Sequence, residues 1–283
     1  MSRGDNPVST AAVAWRRAAL ARDRARRAQA SADAQEMLAA RSGRDIHLRV
    51  AASHRRMAAR QIASARLQEA YARRVAEWSL SRDPRPLFMT GVAESCGARS
   101  AALTLVGRDR TQLAVAASDE ASRAAQELEF ILGEGPARDI LDSEGPISAT
   151  GRSAIETRWP GYGPELTDLG LTGVVAVPLS ATGGCFGALT LYEPGPGPVD
   201  SVRCAEVAEA LTDTVLLGPD PDPELYGGTD HRDTVHQAAG VHSGRTGCSV
   251  EDALALIKAR AFSDGVSTAV IARRILDRTG DVL

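Results

Sequence analysis

A single lysine, Lys258, stands among 33 basic residues, and all the others are arginine. That bias reads first as the codon usage of a GC-rich bacterial genome, but it also removes chemistry. A phospho-receiver sets a lysine downstream of an acidic pocket, and the sole lysine lies near the C-terminus, so an internal phosphorelay receiver is excluded. Histidine is as unevenly spread. All five (His47, His54, His231, His236 and His242) lie outside residues 85–217, which leaves the middle of the chain without a His-ligated haem or metal site. The four cysteines, Cys96, Cys185, Cys204 and Cys248, form no C-x-x-C pair, so neither a disulfide framework nor a zinc cluster is suggested. No G-x-x-x-x-G-K-S/T phosphate loop and no G-x-S-x-G nucleophile elbow occurs. Neither enzymatic turnover nor a bound cofactor or metal is expected. No apolar run approaches the ~20 residues of a membrane helix. The start, Met1-Ser2-Arg3-Gly4-Asp5-Asn6-Pro7, lacks the apolar stretch of a secretory signal. A soluble cytoplasmic protein without membrane contact is the expectation.

What is present is strongly segregated. Residues 1–83 carry 17 Arg against 8 acidic residues, a net of +9, and the remaining 200 residues carry a net of −12. A basic arm on an acidic body suggests a polyanion contact or an intramolecular dock; a solvated Arg-rich surface is the plainer alternative. Residues 9–80 contain no proline and are dominated by good helix formers. They predict one long helix, or a helical hairpin broken near Ser42-Gly43. Ile46, Val50, Met57, Leu67, Tyr71, Val75 and Trp78 recur mostly at three- and four-residue steps, with Ser53, Gln61 and Ser64 between them. That stripe predicts helices packed against something, or a coiled coil. Asp83-Pro84-Arg85-Pro86 ends the segment.

Residues 84–217 predict a mixed α/β domain. A short helix over Leu87–Cys96 precedes strands at Ala101–Val106 and Leu113–Ala116. A helical stretch at Ala121–Leu132 leads into Gly133-Glu134-Gly135-Pro136 and a strand at Pro146–Ser148. Two apolar strands, Gly173–Leu179 and Cys185–Tyr192, flank Gly183-Gly184, a strong hairpin turn. An amphipathic helix with Val202, Ala205, Val207, Ala208, Leu211 and Val215 closes the unit. This order favours a central antiparallel sheet with helices against it, an α+β class. Pro219, Pro221 and Pro223 then form a stiff spacer over 218–228. Cys185 reads as a small buried hydrophobe. Asp139, Asp142 and Glu144 are either a metal cluster or a solvated helix end.

The last segment, 229–283, predicts three short helices. The first runs from Asp230 through Val241. The second opens at Ser249-Val250-Glu251-Asp252, where Ser249 can accept from the Asp252 N–H and the Asp252 carboxylate can reach back. Ala253, Leu254, Ile257 and Ala261 follow at helical spacing, with Gly265 as the stop. A third helix from Ser267 carries Val270, Ile271, Ile275 and Leu276. Ala238, Gly240, Ala253, Ala261 and Ala272 are small enough for close helix contacts.

Two resemblances follow from these residues. His236-Gln237-Ala238-Ala239-Gly240, Gly247-Cys248-Ser249-Val250-Glu251-Asp252-Ala253-Leu254, Ala261-Phe262 and Ile271-Ala272-Arg273-Arg274-Ile275 resemble an ANTAR domain. The chain departs from that family at the polar stretch His242–Thr246, where aliphatic residues usually continue the first helix. Leu132-Gly133-Glu134-Gly135-Pro136, Trp159-Pro160 and the hairpin from Val177-Pro178-Leu179 to Gly187-Ala188-Leu189 resemble a GAF sensory domain. The cyclic-nucleotide mode of some GAF domains, which uses Asn and Lys, is not expected, because residues 84–217 contain neither.

The resemblances imply a transcription antitermination regulator: a signal sensed by the GAF-like domain, RNA hairpins in nascent transcripts bound by the ANTAR-like module, and homodimerisation through helices. The GAF-like partner is an unidentified small ligand or protein. The module carries 7 basic and 7 acidic side chains, so net charge does not itself argue for RNA. Local placement makes Lys258, Arg273 and Arg274 the candidate RNA contacts, with Arg232 and His236 from the first helix. The alternative is a non-enzymatic signalling scaffold whose terminal module no longer binds RNA.

Overall fold

The computed structural model describes residues 7–78, 86–107, 109–143, 145–181, 184–195, 200–212 and 229–277. The predicted Pro-rich spacer at 218–228, together with Glu144, Gly183 and Val215, lies outside them.

Two helices, α1 (Pro7–Ser42) and α2 (Asp45–Trp78), form an antiparallel hairpin. The chain reverses at Gly43, whose φ of +65° is the left-handed cap a glycine takes without a Cβ penalty. Its seam is alanine. Ala11, Ala14, Ala18, Ala21, Ala25, Ala28 and Ala32 are buried at alternating steps of three and four, facing Ala51, Ala58, Ala65 and Ala72 at steps of seven. Such small side chains let two helices approach closely. The aliphatic stripe expected to pack is therefore divided. Leu67, Tyr71 and Val75 are buried, whereas Ile46 and Met57 are 48% and 52% exposed, because the alanine seam rotates them away from the partner helix.

The second half of α2 belongs to the core of the next unit. Leu67, Tyr71 and Val75 pack with Phe88, Met89 and Val92 of α3 (Phe88–Cys96) and with one face of the sheet. The expected boundary at residue 83 thus divides residues that share one core. The strands are β1 (Ala98–Val106), β2 (Gln112–Ala117), β3 (Ile147–Thr150), β4 (Gly173–Ala181), β5 (Gly184–Pro194) and β6 (Thr229–His231). They form a wholly antiparallel sheet in the order β3-β4-β5-β1-β2-β6. The predicted hairpin joins β4 to β5, with Ala181 opposite Gly184.

Period-two alternation splits the sheet side chains between two layers. Leu103, Val175, Val177, Leu189 and Leu191 meet α2, α3 and Val207, Ala208 and Leu211 at α8 (Ser201–Ala210) and just beyond it. Val202 departs from the expected apolar face of α8 and is 68% exposed. On the other side Ala102, Val174 and Tyr192 meet α4 (Glu120–Leu132), α6 (Arg152–Arg158) and α7 (Tyr162–Asp168), with Trp159 between the last two. A short helix, α5 (Pro136–Asp139), and a 3-10 turn over Ile140–Asp142 close the gap after α4. The molecule is α+β, and among the described residues no helix is long and apolar enough to cross a membrane.

Three helices end the described chain: α9 (Asp233–Thr246), α10 (Val250–Asp264) and α11 (Thr268–Leu276). Val235, Ala238, Ala239, Ala253, Ile257, Ala261, Ile271, Ala272 and Ile275 form their common core. Two expectations change. Residues 230 and 231, expected at the start of a helix, instead lie in a strand over 229–231 that pairs with β2, Ala114 opposite His231 and Ala116 opposite Thr229. An open sheet edge offers unpaired backbone groups, and that pairing outweighs local helix preference. The polar stretch His242–Thr246 does not interrupt the first helix, which runs through Gly244 to Thr246. Gly240 makes no close contact: it is exposed, and a Cβ there would meet open space.

Candidate functional site

The Gly133-Glu134-Gly135-Pro136 motif organises the sheet face covered by α4. Gly133 caps α4 with φ +67° and its N–H on the Glu129 carbonyl. Glu134 turns away from the cavity and accepts from the N–H groups of Gly161 and Tyr162 at 2.8 and 3.1 Å, at the start of α7. At Gly135, φ is +152° and a Cβ would stand 2.7 Å from the Glu129 Cδ. Only glycine leaves room for that side chain. Pro136 occupies the first turn of α5, where no N–H is needed.

The space so made holds a buried polar network. The Thr104 hydroxyl meets Gln126 Oε1. Gln126 Nε2 donates to the Tyr192 hydroxyl at 2.8 Å and to Glu129 Oε2 at 3.2 Å, and Arg138 N donates to Glu129 Oε1 at 2.9 Å. Burial pushes the Glu129 carboxyl up to about 8, against the opposing pull of the Arg138 and Ala137 N–H groups and the Gln126 amide. Glu129 is accordingly a mostly neutral acid at pH 7. Thr104 and Glu129 also line a cavity of about 380 Å³ whose opposite wall is α10.

The same helix, α4, holds the terminal module. Arg232, just before α9, has a side chain only 2% exposed. Its Nη1 donates to Glu127 Oε2 at 2.5 Å and its Nε to Gln112 Oε1 at 2.9 Å, while the guanidinium lies over the Phe130 ring at 4.4 Å. Lys258 Nζ lies over the same ring at 4.1 Å. Glu127 Oε1 takes the N–H and hydroxyl of Thr268 at 2.6 and 2.7 Å, satisfying free donors at the start of α11. Burial alone would raise the Glu127 carboxyl, but Arg232 and Thr268 hold it below its ordinary value. Desolvation, then Arg138 and Arg232, bring Lys258 down to about 8.

The five candidate RNA contacts therefore separate into two groups. Arg232 and Lys258 are in the dock, and His236 Nε2 sits at the edge of hydrogen-bonding range, 3.5 Å from the Gln112 carbonyl. For Arg232 this corrects the expectation of an RNA-facing side chain: Glu127 draws it into the interface. Arg273 and Arg274 are exposed on α11, and Arg274 pairs with Asp264 at 3.4 Å, as does Arg260 at 3.1 Å. The Ser249 cap forms, with Asp252 N donating to Oγ at 3.0 Å; the reciprocal bond runs from the Ser249 hydroxyl to Asp252 Oδ2 at 2.7 Å rather than from its N–H. Asp139 accepts from Trp159 Nε1 at 3.1 Å and Asp142 from Arg110 at 2.7 Å, while Glu144 lies outside the described residues. Cys185 is half-buried, and Cys96 packs against the core cluster that holds the buried Cys204.

Sequence reasoning passed over Glu127, Gln112, Phe130 and Glu129. The one available signal was Phe130, one of only four phenylalanines, and it does not by itself indicate an inter-module contact.

No family model matches the chain, and no curated protein does. Among solved structures, a NreA protein from Staphylococcus aureus, mutated in its nitrate binding site, aligns with 39% of this chain and 83% of its own at 17% identity, with a TM-score of 0.29. A likeness of that size carries no argument about fold or ligand.

Proposed function

We propose that this chain is a transcription antitermination regulator of the GAF–ANTAR type, with the central domain as sensor and the terminal three helices as an RNA-hairpin-binding output. The observation that carries this reading is the placement of the small pattern residues. Ala238, Ala253, Ala261 and Ala272 are all 0% exposed in the three-helix core, as the ANTAR resemblance requires. Support also comes from the basic residues left outside the dock, Arg273 and Arg274, which stand on an exposed face of α11. In this reading the described arrangement is the restrained state. Arg232 and Lys258 are held on Phe130, and release from α4 frees them for phosphate.

The test is crosslinking of the full chain to cellular RNA, followed by sequencing and by filter binding to enriched hairpins. Affinity should fall with salt, and Lys258→Ala, Arg273→Ala and Arg274→Ala should each lower the salt slope by ~0.7–0.9. The triple variant should keep the wild-type helical signal in circular dichroism, with the melt lowered only by loss of the Lys258 contact with Phe130. Equal hairpin affinity in a triple variant that keeps this helical signal would remove these residues as the contact surface.

A specific observation favours the second reading, a non-enzymatic scaffold: three of the five candidate contacts, Arg232, His236 and Lys258, face the central domain. Absence of any enriched transcript, for the wild type and for an undocked variant alike, would select it.

A further inference from the structure

We propose that the cavity between the central domain and α10 binds a small molecule bearing one oxyanion group, carboxylate or phosphate, which bridges Arg138 of α5 and Lys258 of α10. The cavity, about 380 Å³, lies within the range of small-molecule sites. Its walls come from both modules: Thr104, Gln112, Glu129 and Arg138 on one side, Glu251 and Lys258 on the other.

Three features select an anion. The Lys258 ammonium contacts the Phe130 ring but makes no ion pair among the described residues. The Arg138 guanidinium, which lines the same space, makes no hydrogen bond or ion pair among the described residues and acts on Glu129 and Asp142 only at longer range. Arg138 and Arg232 both disfavour the charged form of Lys258, and Glu127, the one acid that favours it, is already shared by Arg232 and Thr268. An incoming oxyanion relieves that repulsion at the point where the two cations face one cavity. Glu129 does not oppose it, being mostly protonated at neutral pH.

The remaining lining limits the rest of the molecule. Asp109, tied to the Thr111 N–H at 3.0 Å, and Glu251 add carboxylates to the lining, whereas Arg110 beside Asp109 is taken by Asp142 at 2.7 Å. A second anionic group would meet these carboxylates, so the ligand is charged at one end only. The Gln112 amide, whose Oε1 already takes Arg232, keeps its Nε2 to donate to a hydroxyl on the body, which points to a hydroxylated monocarboxylate or a phosphate monoester.

Such a ligand touches the central domain through Arg138 and the terminal module through Lys258, so its binding strengthens the dock. The regulatory meaning, lower RNA affinity when the ligand is bound, rests on the sensor–output reading above; the binding itself rests on the cavity alone.

The probes are lactate and inorganic phosphate, with sodium chloride at matched ionic strength as control, on the full chain. Because Lys258 is the sole lysine, an amine-acylating reagent followed by mass spectrometry reports on it directly. Lactate, phosphate or both should raise the melting temperature saturably and slow Lys258 acylation by about tenfold, while chloride does neither. Arg138→Gln, at an exposed position, should melt like the wild type and lose both responses. A response to lactate alone assigns the site to carboxylates, and one to phosphate alone to phosphate esters. No saturable response to either probe, or an equal response in Arg138→Gln, overturns the site. A probe that passes these tests yet leaves hairpin affinity unchanged supports the site and removes the sensor–output reading.

Discussion

Ionising Glu129 places a carboxylate charge at a fully buried position, and its stability consequence has a definite sign. The carboxyl sits near 8 in the fold, above the ordinary 4.5. Below about 4.5 it is protonated in both folded and unfolded chains and imposes no cost. Between about 4.5 and 8 the unfolded chain loses its proton while the folded chain keeps it. Stability therefore falls as pH rises, by up to ~1.4 kcal/mol for each pH unit crossed within that window. Above 8 the loss is complete. Glu129→Gln should flatten the melting-temperature profile across that window, and an unchanged slope would assign the pH dependence to another group. Gly135 tests the same pocket from the backbone side. Gly135→Ala sets a Cβ 2.7 Å from Glu129 Cδ at positive φ and should destabilise by roughly 2–4 kcal/mol. A denaturant midpoint equal to that of the wild type would contradict the close approach.

At the scale of elements, α4 joins two units with a few residues. Glu127 receives Arg232 and the start of α11, Phe130 carries two cations, and Glu129 supports the cavity beside them. Glu127→Ala leaves the Arg232 guanidinium buried without its carboxylate, a change that costs ~3–5 kcal/mol for buried pairs. The module should then leave α4. Hydrogen exchange over 233–277 should rise while amides of β1, β4 and β5 stay protected. Uniform loosening of both units would mean that α4 supports the central fold rather than the dock. Much of the element order was legible beforehand, because α4, β4, β5 and α10 have unbroken periodicity and clear stops. The misses have local causes. Residues 152–158 and 162–168 form helices too short for a periodic signal, and residues 229–231 become a strand only because the β2 edge is beside them.

For the molecule as a whole, the alanine hairpin and the charge division bear on association. Small residues at heptad-like steps in α1 give no seam signal in the sequence, since alanine reads as helix propensity rather than as core. The large side chains that do carry a periodic signal include Ile46 and Met57, which are exposed. The candidate site was partly legible for a similar reason: Lys258 stood out by its rarity, but its neighbours Phe130 and Arg138 lie over 100 residues away and meet it only through the fold. Near the Gly43 turn, Met37, Leu38, Ile46 and Leu48 are 64%, 41%, 48% and 52% exposed. Exposed apolar side chains on both helices beside this turn favour contact with another surface, and a second copy is the partner implied by the expected homodimer. Deleting residues 1–80 would be a poor test, since it strips Leu67, Tyr71 and Val75 from the core of the central domain. A double substitution, Met37→Glu with Leu48→Glu, alters the tip and leaves the seam intact. The full chain should sediment as a dimer at micromolar concentration and the variant as a monomer, with equal helical signal in circular dichroism. A wild-type monomer, or a variant that remains dimeric, would show that the hairpin tip does not hold two copies together and would shift attention to its net basic surface as the contact face.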